Sequence, residues 1–463
     1  MKQKFKEKES FATLVLIVSL AWPTIVEQIM QTAVQYIDTA MVGSIGTHAT
    51  AAVGATGTVG WLIICTFSAL GVGFLALIAQ ACGANDQTVA KKASAQAVLV
   101  VLVTGILSTI VCVSISRVVP VWMQVDPAIQ KLAGTYFLIF YLPMLPRTAS
   151  IIFGTILRAA GDTKTPMKVG IIVNVINIVL NYFLIYPTRT VSLLGLEFTM
   201  WGAGLEVVGA ATASAIAMLW GGIQITWVLW KHPMVSPKGI SIKPDKSILS
   251  PCIKIAFPNM MQRFGTCLGF VFFSAMVNSL GEIAAATHTI ANTVESAFYI
   301  PGYGMQTAAS TLAGNAYGAR DNRKMKSLAG MFIPIEIGLM ILSGAALFAF
   351  APPLMGLFSN SQEVIDLGTI VLRMVAVSEP FYGFTIIMEG MMMGVGKTKL
   401  PFIYNTAGMW CVRIVGTFIC TQLMGMGLIS VWACMIAHNV LVSLMYLYTY
   451  LSGLWNPMHE KKA

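Results

Sequence analysis

Charge is what this 463-residue sequence lacks most: only 10% of its residues are Asp, Glu, Lys or Arg, while 56% are hydrophobic. A soluble domain carries about 25% charged residues, so a water-facing globular surface is excluded. Histidine is also scarce. The five present, His48, His232, His288, His438 and His459, are not paired at ligand spacing, and no HExxH, GxSxG or CxxC motif occurs. The usual sequence grounds for a zinc site, a hydrolase or a redox enzyme are therefore missing, and neither an enzymatic reaction nor a bound cofactor is expected. Gly396-Lys397-Thr398 resembles the end of a P-loop, but Met391 stands where that loop needs a glycine, so ATP is not implied. The eight cysteines fall mostly within apolar runs and read as buried thiols.

What the chain has is apolar length. With a mean hydropathy of +0.76, it has room for roughly a dozen membrane spans of about 20 residues each. Apolar runs between charged or Gly/Pro-rich breaks place helices near 14–42, 51–80, 94–117, 129–157, 166–188 and 201–230, then near 250–278, 284–315, 327–350, 363–392, 401–424 and 427–452. The lysine-rich start ahead of FATLVLIVSLA has the look of a signal peptide. No A-x-A site follows, and the apolar run continues through Pro23 to about Val42, so it reads as an uncleaved first span. The most polar internal stretch, His232 to Ser250, divides an N-terminal lobe (1–232) from a linker (233–250) and a C-terminal lobe (251–463).

The bases test this topology, because lysine and arginine are retained on the cytoplasmic side of a membrane. Of the 29, 22 fall at the two ends and in alternate loops, including the linker; the other six loops hold only Arg117, Lys131 and Arg189. Arg147, Arg263, Arg373 and Arg413 lie inside spans. Both termini are therefore expected in the cytoplasm, for a multi-pass protein of a bacterial plasma (inner) membrane working as a monomer among membrane lipids. The net charge of +10 reflects that orientation and not nucleic-acid binding.

Sliding the sequence against itself reveals a repeat at an offset of 235. Residues 38–59 and 273–294 then match at nine of 22 positions, and Pro23 meets Pro258, Gly83-Ala84 meets Gly318-Ala319, and Thr163-Lys164 meets Thr398-Lys399. Six spans separate equivalent positions, so the halves share one orientation: an all-α membrane protein of twelve helices, two six-helix bundles related by a parallel pseudo-two-fold repeat.

Three stretches carry a resemblance to a known family: Ile37-Asp38-Thr39-Ala40-Met41-Val42-Gly43, Gln80-Ala81-Cys82-Gly83-Ala84, and Leu157-Arg158-Ala159-Ala160-Gly161-Asp162-Thr163-Lys164-Thr165-Pro166. With its length, spans and repeat, the chain resembles the multidrug and toxic compound extrusion (MATE) transporters over nearly its whole length. The second-half counterpart, Gly394 to Pro401, lacks the arginine and aspartate that the family often shows. The resemblance implies export of amphipathic, often cationic, organic compounds in exchange for H⁺ or Na⁺. A lipid-linked oligosaccharide flippase of a related fold, a channel and a membrane-embedded enzyme are the other classes.

Ionisable groups at membrane depth are costly, about 2.5–3.5 kcal/mol each by insertion scales, and so mark function. Asp38 has no base within its own run; it needs a cation or a proton, unless it lies close enough to a helix end to reach water. On the fifth span Asn174, Asn177 and Asn181 share one helical face. Their amide oxygens suit a hard cation such as Na⁺ and equally suit hydrogen bonds between helices. The resemblance implies that Asp38, Asn177 and Asn181 form the N-lobe cation site, with Asn181 standing where some branches carry aspartate. For the second lobe the candidates are Glu295, Glu379 and Glu389. Glu27 and Gln262 each lie four residues past a proline, Pro23 or Pro258, which suits a cavity-facing group beside a kink. The 28 methionines, Met388 and Met391 to Met393 among them, suit varied substrate shapes or ordinary packing.

Overall fold

The computed structural model describes residues 2–123, 125–193 and 196–459, without the side chains of 2–10, 47, 55–56, 58–59 and 191–198. The terminal lysines in the charge count thus lie outside the described side chains.

The first repeat runs α1 (Lys2–Gly43), α2 (Thr47–Gly83), α3 (Gln87–Ile115), the one-turn α4 (Val119–Trp122), α5 (Pro127–Tyr141), α6 (Met144–Ala159), α7 (Lys164–Leu184) and α8 (Glu206–Lys231). The second runs α9 (Lys246–Asn278), α10 (Glu282–Gly318), α11 (Asn322–Gly356), α12 (Gln362–Ala376), α13 (Glu379–Gly394), a helical run Lys399–Leu423 containing α14 (Lys399–Ala407) and α15 (Val415–Phe418), and α16 (Leu428–Leu451). Among the described residues eight helices are each long and apolar enough to cross a membrane, and the bent pairs α5–α6 and α12–α13 add two spans. The 37-residue α10 and the run Lys399–Leu423 complete the twelve. At the sequence offset the ends of α2 and α10, of α5 and α12, and of α6 and α13 coincide to the residue, so the repeat is one of structure as well as sequence.

Three features depart from plain spans. The fourth and tenth, expected as single helices, are broken and bent by 48° and 52°, because Pro143 and Pro380 cannot donate the backbone hydrogen bond that would carry a helix across. The eleventh contains π-helical turns at Gly408–Ile414 and Ile419–Leu423. Between α7 and α8 the chain forms an antiparallel hairpin, β1 (Pro187–Leu193) with β2 (Leu196–Ala203), where Thr188 and Thr190 supply β-branched residues suited to a strand.

The chain packs as two compact units that cut across chain order: residues 1–28, 75–86 and 250–463 in one, 29–74 and 87–249 in the other. In the first, Ile17, Leu20 and Ala21 of α1 share a core with α10 and α13. Met388, Met391 and Met392 are fully buried in that core; of the two roles open to them in the sequence, these methionines take packing. α10 also approaches α2 closely: a Cβ on Gly83 would run into the backbone of Asn315, and one on Gly318 into the backbone of Gln80. The two contacts are equivalent under the repeat. Many large apolar side chains face outward, Trp61, Leu107, Ile223, Leu342 and Leu447 among them, as lipid-facing surface requires. The linker is held in the second unit by Gln96 of α3, which donates to the Lys243 carbonyl (2.8 Å) and accepts from the Asp245 amide (3.0 Å). Asp245 lies below the usual carboxylate range because the Ser247 hydroxyl and amide donate to it.

Candidate functional site

Asp38 lies five residues from the end of α1, and Asn177 and Asn181 lie a turn apart on α7, so both helices bring polar groups to one level of the second unit. Asn181 Nδ2 donates to Asp38 Oδ1 at 2.6 Å and to Asn177 Oδ1 at 3.1 Å. A third helix closes the group: Asn177 Nδ2 donates to Ser214 Oγ of α8 at 3.0 Å. Turned over, the Asn177 amide would donate to Asp38 Oδ1 across 2.8 Å and accept from Ser214. In that orientation the Asn177 amide satisfies both the carboxylate and the serine hydroxyl, so Asp38 receives amide donors from α7 and the group links three helices.

Asn177 and Asn181 are buried, Asp38 half-buried. Asn181 Oδ1 is enclosed with no donor, and a buried acceptor left over is costly unless something positive takes it. Carboxylate, amide and hydroxyl oxygens make a hard-ligand set that fits Na⁺ or a carboxyl proton. Among the described residues no three His, Cys, Asp or Glu side chains come together to hold a metal ion, so a cation here would rest on one carboxylate and neutral oxygens.

Asn174 is buried one turn away on the same face of α7, but among the described residues no hydrogen bond joins it to Asp38, Asn177 or Asn181. Ser214 was missed by sequence reading; in an alanine-rich span a lone serine has no periodic partner to mark it.

The remaining candidates lie in the first unit. Gln262 of α9 donates to Glu389 Oε1 of α13 at 2.7 Å. Glu295 of α10 and Glu379 at the start of α13 are both buried; Glu295 is close enough to interact electrostatically with Arg413 and with Glu379. Between them a tyrosine group spans α10 and α13, with the Tyr303 and Tyr382 hydroxyls 2.7 Å apart and the Tyr299 ring against Tyr382. Glu27 is half-buried on α1. Sequence reading also missed Glu336 on α11, whose side chain is wholly enclosed.

The MatE family profile matches residues 23–183 and again 258–419, two segments that begin 235 residues apart. This chain belongs to the MatE family. Curated relatives of this MatE protein include the probable multidrug resistance protein NorM of Thermotoga maritima, 24% identical over 96% of this chain and 93% of its own length, and the probable multidrug resistance protein YoeA of Bacillus subtilis, 23% identical over 94% and 92%. Among solved structures, the crystal structure of MATE in complex with MaL6 superposes with a TM-score of 0.88 at 22% identity over 96% of this chain and 97% of that one. An outward-facing MATE family transporter of the MOP superfamily gives 0.87 at 23% identity, over 96% of both. The MatE fold, and with it a multi-pass membrane protein, follows from these matches.

Proposed function

We propose that this MatE protein is a secondary-active exporter that exchanges amphipathic, often cationic, organic compounds for H⁺ or Na⁺ by alternating access. The observation that carries the reading is Asp38, a carboxylate at membrane depth joined to Asn181, Asn177 and Ser214 across three helices. A group whose charge or ligation changes between states is what coupling requires, since a ligand shifts a conformational equilibrium only by its differential affinity for the two states. Relatives named as multidrug resistance proteins support the substrate class. The excess of bases in alternate loops supports cytoplasmic termini in a bacterial plasma membrane. In this reading the protein acts as a monomer in lipid and uses no cofactor, only H⁺ or Na⁺ as the coupling cation.

Purified protein in liposomes, loaded with a fluorescent amphipathic cation and given imposed H⁺ and Na⁺ gradients in turn, tests this. Efflux against the dye gradient should follow one of the two ions. Flux indifferent to both would identify a channel, and movement of lipid-linked sugars alone a flippase.

A further inference from the structure

Glu336 sits ten residues beyond Lys326 on α11, about 15 Å along the axis and thus near the middle of a hydrocarbon layer of about 30 Å. It is 0% exposed, and neither carboxyl oxygen has a hydrogen-bond partner. Its side chain fills space left by two glycines on neighbouring helices. A Cβ on Gly302 of α10 would lie 2.5 Å from Glu336 Oε1, and one on Gly383 of α13 would lie 3.3 Å from Glu336 Cγ; Met340 and Ile386 complete the apolar wall.

Within two turns of Gly302 and Gly383 the ionisable groups are Glu295, Tyr299 and Tyr303 of α10 and Glu379, Tyr382 and Glu389 of α13; α12 adds Arg373 and the exposed Glu363 and Asp366. Those of α10 and α13 interact with one another, with Arg413 and with Arg263, and Arg373 reaches the Phe348 carbonyl and ring. Among the described residues none donates a hydrogen bond to Glu336, which is walled by apolar side chains. A carboxylate with neither counter-ion nor donor is too costly in such a place, so here the group is the neutral acid. As a neutral acid without a hydrogen bond it adds nothing to packing that an apolar side chain would not add better. The equivalent position of the first repeat shows this, being Val101, itself buried.

α10 is weakened at this point. Pro301 removes the backbone donor that would hold the Ala297 carbonyl, and Gly302 follows it.

We infer that Glu336 is a second proton-carrying carboxyl of the transport cycle, closed and protonated in this state, and ionised when α10 and α13 part at Gly302 and Gly383. The O–H proton then passes to water entering the gap, and the site recloses only after a proton returns. This rests on the exporter reading, and it assigns to α11 a role independent of Asp38.

Two measurements on the full-length protein test it separately from that reading. Infrared difference spectra across a pH step, in lipid nanodiscs, should show a protonated-carboxyl band that Asp38→Asn retains and Glu336→Gln loses; a band unchanged in Glu336→Gln, or absent from the wild type, overturns the inference whether or not the protein transports anything. In liposomes at a 100 mV potential, the dye ratio sustained by Glu336→Gln should fall roughly fifty-fold, one coupled proton's worth, while dye binding persists. Glu336→Met, which fits the apolar site, should behave the same way, and wild-type coupling in either folded variant overturns the inference. A wild type that moves no dye defeats the exporter reading and leaves the infrared result to judge Glu336.

Discussion

The two repeats place very different chemistry on the same frame. Under the offset, Asp38 corresponds to Phe273, and Asn174, Asn177 and Asn181 correspond to Met409, Val412 and Gly416. Where the first repeat gathers oxygens able to hold a transient cation, the second holds a permanent one: the Arg413 guanidinium lies 4.1 Å over the Phe273 ring and 4.9 Å over Phe270. A fixed guanidinium cannot leave during a cycle, and it stays charged. Duplicated helices thus keep their packing while their polar content diverges. The buried polar groups of the second repeat lie at other positions, the hydrogen-bonded pair Gln262–Glu389 and the buried Glu295 and Glu379.

The largest effect should come from removing the titratable half of that comparison. Asp38→Asn should insert and fold with unchanged thermal stability, since the amide is a neutral isostere, yet lose the gradient-driven dye efflux that Asp38 couples, leaving at most the share carried by Glu336; at 100 mV each uncoupled charge forfeits about 2.3 kcal/mol of driving force. Asn181→Ala should weaken ion dependence only in part, because Asn177 and Ser214 still supply ligands. Wild-type, gradient-dependent efflux from Asp38→Asn would move coupling to the second repeat.

Next in size come the shared contacts. Gly83→Ala and Gly318→Ala should each cost about 1–3 kcal/mol or more, as overpacking against an immovable backbone does. If the repeat is symmetric in energy as well as geometry, the two losses of thermal stability will be similar; a large penalty at one and none at the other would break the equivalence.

The smallest effect is expected at the counterpart of Asp38. Phe273→Leu should cost on the order of 1–2 kcal/mol through lost cation–π contact and leave the ion dependence of efflux intact. A change of coupling ion in that variant would show that the Arg413–Phe273 region also handles the driving cation.

The sequence by itself determined the number of spans, the repeat and the core of the candidate site. These rest on local signals: apolar length counts spans, an uncompensated aspartate stands out in an apolar run, and a 3.6-residue period puts Asn177 and Asn181 on one face. Periodicity does not say which faces meet. Only tertiary structure decided that Ser214 joins Asp38 through Asn177 and Asn181 while Asn174, on the same face, does not, and that Met388 and its neighbours fill a core. It alone decided that Glu336, an unremarkable acid in the chain, is sealed between Gly302 and Gly383. Each of these depends on side chains brought together from helices far apart in sequence, and such contacts are settled by close packing across the whole unit.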